Sequence, residues 1–160
     1  MTQSSEIDTS ERPADDVIAH RLTFLLHRLV SALIDAASPE FRDLGLSIPA
    51  ARTIVSLLES GAAATVGSLA ETTCIDLSTM SHILRRLESQ QLVRRQRQDD
   101  DNRVVVAVLT EQGRSVAETC RSASLRHEDA RVHGMSASEV AQFKSALERS
   151  FENARLRLGA

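Results

Sequence analysis

Three features of the sequence predict a mainly α fold with one small β-hairpin. The first is composition. Four Phe, no Trp and no Tyr leave the core to Leu, Val, Ile and Ala, whereas sandwiches and barrels lean on aromatic and β-branched residues. The second is periodicity, since apolar residues recur at helical spacing along most of the chain. The third is one pair of strand-like runs, 92–97 and 103–109, around a polar tip. At 160 residues, 42% hydrophobic and 26% charged, the chain fits a single ordinary globular domain. A chain of this size buries about 70% of its unfolded surface and folds without disulfides or metal.

Residues 1–15 carry no apolar period and are expected to form a disordered acidic arm. From Val17 to Ile34, apolar residues at 18, 22, 25, 29 and 33 make one helical stripe, and 26, 30 and 34 a second. A helix apolar on more than one face needs cover from two directions, which in a small chain points to a partner subunit. Ser38-Pro39 is expected to end it. Ser47 with Pro49 opens the next helix, which carries Ile54, Val55, Leu57 and Leu58 and stops at Gly61. Thr65 and Asp76 are N-cap residues for two further short helices, joined only by Thr73 to Ile75. That is helix-turn-helix spacing. The hairpin follows, with Gln98-Asp99-Asp100-Asp101-Asn102 as its tip. Thr110 caps a long helix towards Arg131, ended at Gly134, and Ser136 to Glu139 is a capping box for the last helix. Val140, Phe143, Leu147, Phe151 and Leu158 keep helical spacing along it. The predicted architecture is therefore a winged helix-turn-helix, residues 45–112, in one structural domain with helical dimerisation segments at 16–40 and 113–160.

Net charge is −3, but its distribution carries more information than its sum. Residues 1–16 hold five acids against Arg12, whereas from 78 to 97 Arg85, Arg86, Arg94, Arg95 and Arg97 face only Glu88. Arginine's planar fork suits phosphates and guanine edges. No run of 18 apolar residues occurs, and the polar N-terminus is unlike a secretory signal, so a cytoplasmic protein with no membrane partner is expected. Cys74 and Cys120 fit no disulfide framework. No nucleophile–base pair, metal cluster or phosphate loop is present, so neither catalysis nor a cofactor is expected.

Two segments carry a family resemblance. The run from Val66 to Glu88, VGSLAETTCIDLSTMSHILRRLE, and the pair Asp101-Asn102-Arg103 with Leu109-Thr110-Glu111-Gln112-Gly113 resemble the multiple-antibiotic-resistance regulator (MarR) family of bacterial transcription factors. The likeness covers about residues 17 to 158. Cys74 and Gln91 stand where the family often has Gly, His82 where it often has Arg, and the wing tip is more acidic.

The resemblance implies a homodimer on a pseudo-palindromic double-stranded DNA operator, acting as a repressor released by a small anionic or aromatic effector. The recognition helix would present Ser78, Thr79, Ser81, His82, Arg85 and Arg86. The wing would contribute Arg95, Arg97 and Arg103, with Asp101 holding Arg103 in the minor groove. His20, Phe24, His27 and Arg28 lie along the first helix and either hold an effector or line the dimer interface. Peroxide-sensing relatives carry a reactive Cys in the first helix, and none occurs there. A protein-interaction adaptor that kept the fold is the alternative; it would carry apolar residues on the face where Ser, His and Arg stand.

Overall fold

The computed structural model describes residues 21–98 and 101–158, with side chains described over 21–97 and 105–156. The chain divides into two compact units, one ending at Ile48 and the other beginning at Pro49.

The first unit contains α1 (Leu22–Asp43), which does not stop before Ser38-Pro39 but carries Pro39 inside it. Proline removes one intrahelical donor, and the neighbouring Ser38 hydroxyl bonds back to Ile34 O at 2.6 Å. The helix ends instead at Leu44, where Gly45 takes φ +73° and Leu46 N–H closes on Phe41 O at 2.9 Å. A left-handed glycine is the stronger stop, because it satisfies the orphan carbonyls that a proline leaves open. Ala37 and Phe41 are buried, whereas Leu22, Leu25, Leu29, Val30 and Ile34 are exposed on both expected stripes.

The second unit runs α2 (Ile48–Glu59), β1 (Ala63–Thr65), α3 (Val66–Thr73), α4 (Leu77–Ser89), β2 (Val93–Gln98), β3 (Asp101–Leu109), α5 (Glu111–Arg131) and α6 (Ala137–Leu158). Its core is aliphatic. Ile54, Leu57, Leu69, Met80, Leu84, Leu87 and Val93 are each at most 2% exposed. The expected hairpin proves to be two strands of a three-stranded antiparallel sheet ordered β1-β3-β2, with Ala63 opposite Val108 and Arg95 opposite Ala107. Strand β1 was not expected. Its Ala-Ala-Thr sequence has no alternation of its own and is extended because β3 offers a free edge.

The caps at Thr65, Asp76, Thr110 and Ser136 form as their sequences predict. Thr65 Oγ1 accepts from Ser68 N–H at 3.1 Å, and Asp76 Oδ1 from Thr79 N–H at 2.9 Å. Ser136 and Glu139 exchange bonds, Ser136 N–H to Oε2 at 2.7 Å and Glu139 N–H to Oγ at 3.3 Å. Thr110 works in two directions. Its Oγ1 accepts from Gly113 N–H at 2.9 Å and donates to Gln91 O at 2.7 Å, tying α5 to the turn before β2. The approach is so close that a Cβ on Gly113 would lie 1.7 Å from Leu92 O, which is why this position is glycine.

Candidate nucleic-acid interface

Helix α4 is two-sided. Met80, Leu84 and Leu87 are buried, while Ser78, Thr79, His82, Arg85 and Arg86 are exposed. Ser81 differs from expectation: it is half-buried, and its hydroxyl donates to Leu77 O at 2.8 Å. A serine inside a helix commonly satisfies itself this way. Asp76 heads the helix, its carboxyl held below the usual range by the hydrogen bonds from Thr79. The cap is therefore intact above the ordinary carboxylate range and is lost only as pH falls through that lowered value. The turn into α4 passes through Cys74 at φ +54°, and the turn out passes through Gln91 at φ +59°. These are the two positions at which the family often has glycine, and the left-handed backbone is the reason.

Along the exposed face, Arg85 Nη2 lies 2.9 Å from His82 Nδ1, and Arg85 Nε donates to Ser81 O at 3.4 Å. A guanidinium has no acceptor, so the imidazole nitrogen takes that role. Leu77, which sequence reasoning passed over, is the first residue of α4 and is 60% exposed. Its only sequence signal is its place beside the cap.

On β2, Arg94, Arg95 and Arg97 are exposed, and alternation puts Arg95 and Arg97 on one face. Arg95 is engaged by Glu88: Nε to Oε2 is 2.8 Å, Nη2 to Oε2 is 2.6 Å, and Arg95 N–H to Oε1 is 3.1 Å. The Glu88 carboxyl is held below its usual range by the same Arg95 bonds. Sequence reasoning counted Glu88 only as the lone acid of a basic stretch. Asp101 and Arg103 lie on the paired strand β3, Asp101 opposite Gln98, but their side chains are outside those described.

Of the four residues expected for an effector, His20 lies outside the described residues, and Phe24, His27 and Arg28 stand exposed together on α1. Cys74 is exposed and Cys120 is buried in α5. Among the described residues, no group of three or more His, Cys, Asp or Glu is placed to hold a metal ion. Nor is any described helix long and apolar enough to cross a membrane.

A short helix, a tight turn, a polar-faced second helix and a β-hairpin behind it define a winged helix-turn-helix protein. Residues 46–105 match the model of the MarR family. It is 27% identical over 130 residues to the organic hydroperoxide resistance transcriptional regulator of Bacillus subtilis (strain 168), covering 81% of this chain and 86% of the relative. Two solved structures share the fold. One is a putative MarR family transcriptional regulator from Listeria monocytogenes complexed with 26mer DNA, with a TM-score of 0.78 and 19% identity over 84% of this chain and 89% of that one. The other is CouR from Rhodococcus jostii RHA1 bound to p-coumaroyl-CoA, with a TM-score of 0.74 and 20% identity over 83% and 94%.

Proposed function

We propose that the chain is a homodimeric repressor that binds a pseudo-palindromic DNA site and leaves it when a small anionic or aromatic effector binds. The exposed face of α4 carries the DNA reading. It sets hydroxyls, an imidazole and two guanidiniums on a helix whose other face is buried. The N-terminal part of such a helix reaches base edges in the major groove, and the flanking groups hold phosphates. Ser78, Thr79, Ser81, His82, Arg85 and Arg86 are the recognition residues in this reading. Arg95, Arg97, Asp101 and Arg103 serve the wing, the last in a minor groove whose narrowness concentrates negative potential.

Dimerisation is supported by exposed apolar side chains on helices at both ends, among them Leu25, Leu29, Phe143 and Phe151. The effector reading rests on Phe24, His27 and Arg28 with His20, an aromatic ring beside donors suited to a carboxylate. The hydroperoxide relative supports a shared regulator class rather than a shared signal, because no cysteine precedes Cys74 in this chain. An effector that favours one spacing of the paired recognition helices would shift the population and release DNA.

The test begins by sequencing genomic fragments retained by the purified protein. On the operator recovered, Arg86→Ala should weaken binding by about 1–3 kcal/mol per half-site if the guanidinium reads a base edge. The melting temperature should stay nearly unchanged, since Arg86 is exposed. Wild-type affinity for this variant in an anisotropy titration would mean that another face meets DNA.

A further inference from the structure

We propose that Glu88 is a positioning residue for DNA binding, holding Arg95 of the wing in the orientation that a backbone phosphate requires. The proposal rests on the DNA-binding reading above and adds to it a role for the acid of the recognition helix.

Glu88 lies at the C-terminal end of α4, and Arg95 lies in β2 beyond the turn at Gln91. Three donors of one residue converge on one carboxylate, Nε and Nη2 on Oε2 and the backbone N–H on Oε1. Strand β2 is an edge of the sheet, so an outward N–H there has no neighbouring strand to receive it. Glu88 supplies the acceptor. It thereby sets the spacing between the recognition helix and the wing.

Stability is a poor reason for the pair. The two side chains are 33% and 36% exposed, and ion pairs in that setting contribute little. Attraction to a polyanion is a worse one, because the acid cancels the nearest guanidinium and repels phosphate. Positioning accounts for both facts. Glu88 occupies the Nε–Nη2 edge of the guanidinium, and covalent geometry turns the Nη1 amino group away from it. The long side chain is ordered before any phosphate arrives, so less entropy is lost on binding. The remaining donors can then make a charge-assisted bond to a phosphate oxygen.

The two accounts predict opposite signs. Glu88→Ala should weaken operator binding by about tenfold although it removes a negative charge. In an Arg95→Ala background the same substitution should tighten binding, because the acid then only repels. Glu88→Gln, which keeps an acceptor for the backbone N–H, should fall between wild type and Glu88→Ala. The experiment is an anisotropy titration of the full-length variants on the recovered operator at two salt concentrations. Melting curves check that each variant is folded. Tighter binding by Glu88→Ala in the wild-type background, or equal weakening in both backgrounds, overturns the positioning role. A wild-type chain that retains no duplex overturns the DNA-binding reading itself, and this role with it.

Discussion

The winged region and the last helix treat apolar surface in opposite ways. From α2 to β3, a single chain closes its own core, with Ile54, Leu57, Met80, Leu84 and Leu87 wholly shielded from solvent. Helix α6 buries none of its described side chains, and leaves Phe143 40% and Phe151 49% exposed. The Ser136–Glu139 box caps it, and an exposed Lys144–Glu128 pair ties it to α5. Such surface pairs hold little. The contrast teaches that the winged region completes its core within one chain, whereas α6 leaves apolar area uncovered, which the dimer proposed above would bury.

The largest expected effect tests that contrast directly. If the proposed dimer pairs α6 across a two-fold axis, replacing Phe143 and Phe151 by Ser removes four partly exposed rings from that interface. At about 1 kcal/mol for each, the dimer should weaken by about 4 kcal/mol, or roughly a thousandfold. Sedimentation equilibrium should then find monomers at micromolar concentration, with the far-ultraviolet circular dichroism of the winged region retained. An unchanged dimer would show that α6 is not the interface.

Gly113→Ala attacks the other side of the comparison. The new Cβ would meet Leu92 O, a backbone atom that cannot rotate away. Parting α5 from the start of β2 should cost about 3 kcal/mol, at the upper end of overpacking penalties. Urea unfolding measures this, and a stability within experimental error of wild type would refute the close approach. The smallest effect belongs to Gln91→Gly. It relieves a left-handed residue at φ +59° but adds backbone entropy to the unfolded chain. A net gain of about 0.5 kcal/mol is expected in the same assay, and a loss would mean that the Gln91 side chain contributes to the turn.

Several of these features are legible in the sequence. Thr65, Asp76, Thr110 and Ser136 each bond a backbone N–H three residues ahead. A signal that short is complete within a tetrapeptide. The two-sided pattern of α4 was equally plain, because helical period alone separates Met80, Leu84 and Leu87 from the polar residues between them. Helical period predicts an exposed Ser81, but it is half-buried, since it sits at the border of the two faces, where neighbouring elements decide its cover. Ser38-Pro39 predicts an earlier end to α1 than the structure shows, because the left-handed Gly45, and not the proline, closes the helix.

What the sequence determined by itself is the order of elements, their caps and the sidedness of each helix, all properties of residues a few positions apart. Tertiary structure alone decided the rest. Strand β1 exists because β3, more than 40 residues later, presents an open edge to Ala63–Thr65. Gly113 is required because Leu92 O comes against it. Arg95 is a restrained cation because Glu88 reaches it across a turn. Each depends on groups brought together by folding, and hydrophobic spacing along a chain does not encode where a distant backbone edge or carboxylate will arrive.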